Sequence, residues 1–308
     1  MLAPGLFKNH CILVTGGGTG LGRGMAERLL ELGAEIWICG RRRSVLDEAG
    51  REMTARYGGT VRTVPVDLRD ANGVEAMVEK IWAEAPLTGL INNAAGNFIS
   101  RTEDLSPRGF DAIANTVFHG TFYTTLAIGK RWIRGKIPGS VVSIVTTWPR
   151  TGSPFVVPSA MSKAGIDAMT KSLAIEWGHY GIRLNAVAPG VFPTEGATSA
   201  LRPADNPHGY YKSVNPTGRI GELPELTNLV GFLLADGCAW LSGETIAIDG
   251  GHHLADGAYF TDYMDWTDAQ WSEARDRIKA QTAKDKQLRT VSADQPKPNT
   301  NNAGRARD

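Results

Sequence analysis

Eight residues near the start of the chain, Thr15-Gly16-Gly17-Gly18-Thr19-Gly20-Leu21-Gly22, offer little side chain to keep a ligand off the backbone. Glycine at Gly16, Gly20 and Gly22 removes the Cβ atoms that block close approach. The free N–H groups of Thr19, Gly20 and Leu21 can then open a helix toward an anion, which suits a pyrophosphate. An apolar run before the turn and a helical pattern after it make this the first turn of a dinucleotide-binding βαβ unit. The residues that choose between dinucleotides are expected at the end of the next strand, in Cys39-Gly40-Arg41-Arg42-Arg43. An acid there would hold a ribose 2′-hydroxyl and repel a 2′-phosphate. This chain has none, and Arg41, assisted by Arg42, presents a planar fork for phosphate oxygens, so the expected cofactor is NADP(H).

The elements that must position these groups follow a repeating rhythm. Cys11 to Val14 reads as a strand buried on both faces. Met25, Ala26, Leu29 and Leu30 recur at helical spacing until Gly33, and Ala34 to Cys39 forms the second strand. A helix over Ser44 to Tyr57, a strand at Val61 to Val66, a helix over Ala71 to Ala83 and a strand at Gly89 to Asn92 continue the pattern. The second half gives a long helix around Phe110 to Arg134, a strand at Ser140 to Val145, a helix over Ser159 to Trp177 and a strand at Ile182 to Ala188. A helix at Pro224 to Leu234 and a strand at Glu244 to Ile248 end it. The expected fold is α/β, a Rossmann-like, doubly wound parallel sheet of seven strands in one domain, residues 1–251.

Between the last two strands a Pro- and Gly-rich stretch, about 190–220, is longer than compact domains keep without a purpose and reads as a substrate lid. Beyond the domain, residues 252–283 read as an extension whose helix, capped by Thr267, docks through Trp271, Ala274 and Ile278. Residues 284–308 lose their aromatics and read as a disordered tail.

Composition narrows the chemistry. The 308 residues carry a formal net charge of +1, so no global field draws nucleic acid or anionic lipid. No apolar run reaches the ~20 residues of a membrane span. Three scattered cysteines form no disulfide framework, which suits a reducing cytoplasm, and six scattered histidines show no metal-ligand spacing. His252-His253 reads as a polar segment.

The glycine turn, Leu90-Ile-Asn-Asn-Ala-Ala-Gly96, Lys163, Ala188-Pro-Gly190 and Ile248-Asp-Gly-Gly251 together resemble the short-chain dehydrogenase/reductase superfamily over nearly the whole chain. The resemblance implies that Asp67 and Leu68 flank the adenine and that Asn93, Ala94, Ala95 and Gly96 lie along the cofactor with Pro189 and Gly190. It implies that Lys163 holds the nicotinamide ribose, and that the protein is a homotetramer. The superfamily's tyrosine, four residues before its lysine, is replaced by Ser159. The usual serine is Thr146, and the usual helix asparagine falls at Val117. A carbonyl reductase needs that phenol to exchange a proton with oxygen, so ordinary carbonyl reduction is disfavoured.

One branch carries the Ser-for-Tyr exchange. The 2,4-dienoyl-CoA reductases are similar in Asn92-Asn-Ala-Ala-Gly-Asn-Phe-Ile-Ser100, Phe155-Val-Val-Pro-Ser-Ala160, Ala174-Ile-Glu-Trp-Gly178 and the Trp271 helix. The resemblance implies NADPH-dependent reduction of a 2,4-dienoyl-CoA to a 3-enoyl-CoA, with hydride going to the far end of the diene. Charge then develops on the thioester oxygen, and an oxyanion donor matters more than a phenolic acid. Two substrate contacts of that branch have changed type, a tyrosine to Trp148 and an asparagine to His119. Trp148 reads equally as a donor or as an apolar wall, and His119 as a donor or as a partly buried helix histidine bonded to a backbone carbonyl. Two rivals stand beside this reading. One is a reductase for another conjugated carbonyl, and the other is a silent dinucleotide-binding protein.

Overall fold

The computed structural model describes residues 1–194, 214–255, 260, 263 and 266–288. Strand β1 (Cys11–Thr15) explains much of the architecture. Cys11 and Leu13 feed one apolar cluster while Ile12 and Val14 feed another, because alternate side chains of a strand leave opposite faces. Both faces must therefore be covered. Helices α1 (Gly20–Glu31) and α2 (Arg43–Tyr57) cover one face through Met25, Leu29, Leu46 and Met53. Helix α3 (Ala71–Glu84) covers the other through Val74, Val78 and Ile81.

The strands β1, β2 (Glu35–Gly40), β3 (Val61–Pro65), β4 (Gly89–Asn92), β5 (Gly139–Ile144), β6 (Ile182–Pro189) and β7 (Thr245–Ile248) form the expected seven-stranded parallel sheet. Their order is β3-β2-β1-β4-β5-β6-β7. The winding reverses between β1 and β4, with Val14 opposite both Ile38 and Ile91. A crevice opens beyond the carboxyl ends of the strands at such a switch point, and ligands bind there.

The long helix expected around Phe110 to Arg134 is present and unbroken, with a π-turn inside it. Helix α4 (Pro107–Ala114) starts earlier, with Ser106 as N-cap and proline in its first turn, and passes through a π-helical turn, Asn115–His119, into α5 (Gly120–Gly135). The extra residue of a π-turn is invisible to a periodicity count. A short helix α6 (Trp148–Thr151) precedes α7 (Val157–Trp177), and α8 (Leu223–Leu234) follows β6. Of the expected lid, residues 195–213 lie outside the described residues.

His252 opens the short helix α9 (His252–Ala255) and is buried, while His253 Nδ1 lies 2.8 Å from Asp249 Oδ2, so this pair is more than a polar segment. Helix α10 (Asp268–Leu288) has Trp271 and Ala274 buried, with Gln270 N–H donating to Thr267 Oγ1 at 3.4 Å. It runs past residue 283, where the tail was expected to begin. Residues 289–308 of that tail lie outside the described residues. No helix among the described residues is long and apolar enough to cross a membrane.

Candidate active site

The glycine turn is shaped by contact as much as by conformation. Gly16 and Gly20 have φ of +65° and +55°, where a side chain strains the backbone. A Cβ on Gly22 would stand 2.4 Å from both Asn93 Nδ2 and the Gly16 carbonyl oxygen. Thr19 occupies the N-cap of α1 in an extended conformation without a side-chain cap, and no acid sits in the first turn. The leading N–H groups are left for a ligand, and a pyrophosphate fits the donor set.

The opposite wall comes from the end of β4. Asn93 N–H and Ala94 N–H donate to Thr15 Oγ1 at 2.9 and 3.0 Å, and Asn93 Nδ2 donates to the Thr15 carbonyl at 3.0 Å. Thr15 thereby ties β1 to β4 across the switch point, a role the sequence reading missed. Asn93 is committed to this tie, whereas Ala95 and Gly96 are exposed along the crevice. Thr194 was also missed. Its methyl lies 3.5 Å from where a Gly20 Cβ would stand, which sets this residue against the same turn.

Arg41 stands at the end of β2, and its charge acts on Asp67 just past β3. Partial burial raises the Asp67 pKa, but hydrogen bonds from Arg69 and the Arg41 charge outweigh it and hold the carboxyl below its usual range. Leu68 is buried against the start of α5, where a Cβ on Gly120 would meet it at 2.9 Å. Gly190 has a packing reason to be glycine, since its Cβ would lie 2.6 Å from Asp249 Cβ.

Lys163 and Ser159 lie one turn apart on the same face of α7, 5% and 3% exposed. Lys163 Nζ donates to the carbonyl of Ile144, the last residue of β5. Desolvation pushes its pKa down to about 8. Two residues beyond that carbonyl, Thr146 Oγ1 is buried with no hydrogen-bond partner among the described residues. Buried hydroxyls are normally satisfied, and unsatisfied ones concentrate where a ligand is meant to complete them.

Trp148 and His119 part company. Trp148 is 8% exposed, in an apolar cluster with Ile99, Val156, Phe260 and Trp271, and its indole nitrogen is closed to solvent. His119 is exposed at the end of the π-turn. Its Nδ1 lies 3.2 Å from Tyr123 Oη, and Nε2 makes no hydrogen bond among the described residues. Asn115 is half-buried in the same turn, and Val117 is fully buried.

A glycine-lined phosphate turn at the switch point of a parallel sheet, with a buried lysine and an unpartnered threonine hydroxyl at the end of β5, fits an oxidoreductase that uses a nicotinamide dinucleotide. Comparison with known proteins agrees. The family model described as Enoyl-(Acyl carrier protein) reductase matches residues 16–253. A probable 2,4-dienoyl-CoA reductase of Caenorhabditis elegans, described as (3E)-enoyl-CoA-producing, is 41% identical over 93% of this chain and 94% of its own length. A probable 2,4-dienoyl-CoA reductase of Bacillus subtilis, described as (2E)-enoyl-CoA-producing, is 36% identical over 80% of this chain and 98% of its own. The crystal structure of a short-chain dehydrogenase from Bacillus anthracis superposes with a TM-score of 0.73 at 39% identity, covering 80% of this chain and 98% of that one. The chain belongs to the short-chain dehydrogenase/reductase family.

Proposed function

We propose that the protein is an NADPH-dependent reductase of conjugated acyl-CoA thioesters, converting a 2,4-dienoyl-CoA to a 3-enoyl-CoA. The observation that carries this reading is the buried, unpartnered Thr146 hydroxyl, with Ser159 buried one turn before Lys163 where a carbonyl reductase has its phenol. Relatives named 2,4-dienoyl-CoA reductases support it.

Each part of the site has a task in this chemistry. The N–H groups of Thr19, Gly20 and Leu21 hold the pyrophosphate, and Arg41 with Arg42 holds the 2′-phosphate. Asp67 and Leu68 flank the adenine. Lys163 hydrogen-bonds the nicotinamide ribose. NADPH, when bound, supplies the hydride. His119 Nε2 donates to the thioester oxygen as negative charge gathers there, and Ser159 and Thr146 hold a water or the carbonyl in line. Trp148 serves as an apolar wall, because its buried nitrogen cannot reach a ligand without leaving its cluster.

The test is NADPH oxidation with 2,4-hexadienoyl-CoA, with the product double bond assigned by proton NMR. Turnover of the diene to a 3-enoyl product is expected. The 2-enoyl product attributed to the Bacillus subtilis relative would overturn the assignment of the product, and absence of turnover would overturn the function. The same reading takes the protein to be a homotetramer. Phe118, Phe122, Met161, Trp240 and Leu254 stay exposed, and exposed apolar side chains suit contacts between copies of the chain. Light scattering of the purified protein should give four times the chain mass, and a monomer mass would end that expectation.

A further inference from the structure

Phe260, Tyr263 and Trp271, described beyond α9, pack in one cluster with Trp148. Phe260 is 1% exposed, with its ring centroid 5.9 Å from that of Trp148, and it stacks on Tyr263 at 5.9 Å and 28°. Trp271 meets Phe155 edge-on at 4.6 Å. Phe155, in turn, accepts a hydrogen bond from Ser100 N–H at 2.9 Å and holds a φ of +65°, rare for an aromatic residue. Arg101 lies over the Trp271 ring at 5.5 Å and reaches Asp268 at 2.7 Å, while Arg275 reaches Asp104 at 3.1 Å. The extension thus grips both loops that border the site, the one after β4 and the one leading to Ser159. A non-glycine residue in the left-handed region persists only where its surroundings over-determine it, which marks this grip as built for position.

We infer that Phe260 and Trp148 form the end wall of the acyl pocket and set the longest acyl chain that the site admits. This rests on the acyl-CoA reading above and adds a specificity element to it. Trp148 stands two residues beyond Thr146, so the wall begins at the hydroxyls that face the reacting carbons. Trp148, Phe260 and Tyr263 pack among apolar side chains, with Arg101 over the Trp271 ring, and that apolar part suits an alkyl end and not the polar coenzyme. Its rings are enclosed on all sides, and a tail longer than the pocket must displace them, as overpacking does in any closed core. Truncating Phe260 to alanine deletes six ring carbons, room for roughly four methylenes of a longer tail. Each methylene newly buried is worth about a fourfold gain in binding.

The experiment measures kcat/KM for six-carbon and ten-carbon 2,4-dienoyl-CoA with the full chain, as a ratio that a general loss of activity does not move. Phe260→Ala is expected to raise the ten-to-six ratio at least tenfold, with Phe260→Leu between it and the wild type and NADPH affinity unchanged. A ratio within twofold of wild type in both folded variants overturns the inference. If Phe260→Ala does not fold, Phe260→Leu and Trp148→Phe carry the test, with a threefold rise expected in each and no rise overturning it. A wild-type protein that binds NADPH and reduces neither diene refutes the acyl-CoA reading itself and takes this inference with it.

Discussion

Lys163, in the second turn of α7, donates its ammonium hydrogen bond to the carbonyl of Ile144 at the end of β5, where no carboxylate balances the charge. Burial therefore acts unopposed and brings the pKa down from 10.5 to about 8. Below pH 8 both folded and unfolded chains carry the proton, and the folded state bears the full cost of burying it. Between about 8 and 10.5 the unfolded chain binds more protons, so stability from this group rises with pH across that window, by about 3 kcal/mol in all. Lys163→Met has no such group. Urea unfolding of the cofactor-free protein at several pH values should show the wild type gaining on Lys163→Met from pH 8 to 10, and a constant difference would contradict it.

Arg41 carries the choice of cofactor in the proposed function. Losing a guanidinium–phosphate hydrogen-bonded pair costs about 2 kcal/mol, equivalent to roughly thirtyfold in affinity. Arg41→Ala is expected to weaken NADPH binding by that factor and leave NADH within twofold, read by nicotinamide fluorescence titration. Equal losses for both cofactors would mean that Arg41 serves the fold and not the 2′-phosphate.

What was legible in the sequence follows a physical line. The strands and the glycine turn could be read because their constraints are local. β1 is apolar on both faces, and Gly16 and Gly20 need positive φ within the turn itself. Trp271 could be read as a docking residue from helical spacing. Its partner Phe155 could not, since that contact depends on how two distant segments meet. The π-turn escaped because one inserted residue leaves composition and approximate periodicity intact. Thr15 was missed because its hydroxyl serves the next-but-two strand, a pairing that only the reversed strand order creates.

Trp148 and His119 cannot be separated by residue type, since both can donate, and the proposed function assigns them by burial. As a wall, Trp148 needs bulk and no nitrogen. Trp148→Phe should keep kcat on hexadienoyl-CoA within threefold, while Trp148→Ala should destabilise the protein by about 3–5 kcal/mol, seen in thermal or urea melts. A hundredfold loss of kcat in folded Trp148→Phe would restore the donor role to the indole.

His119 should behave in the opposite sense. It is exposed, so His119→Ala is expected to change stability by less than about 0.5 kcal/mol. Loss of an oxyanion donor should lower kcat about 100-fold, with His119→Asn recovering part of it through its amide N–H. Steady-state kinetics of both variants with melting curves alongside decide this, and wild-type kcat in His119→Ala would remove His119 from the mechanism.

The unpartnered hydroxyl of Thr146 ties stability against function. A buried hydroxyl without a hydrogen bond is destabilising, and valine has nearly the same shape without that penalty. Thr146→Val should therefore stabilise the cofactor-free protein by about 1 kcal/mol. The same change removes a group held ready for a substrate or water, so kcat should fall roughly tenfold, and the Ser159→Ala double variant should lose less than the product of the two single losses if both hydroxyls hold one ligand. Differential melts and a double-mutant cycle in kcat measure the two sides together. A Thr146→Val protein that is less stable and fully active would show that this hydroxyl serves the fold, whereas the opposite pair of results is what a site built in advance of its ligand requires.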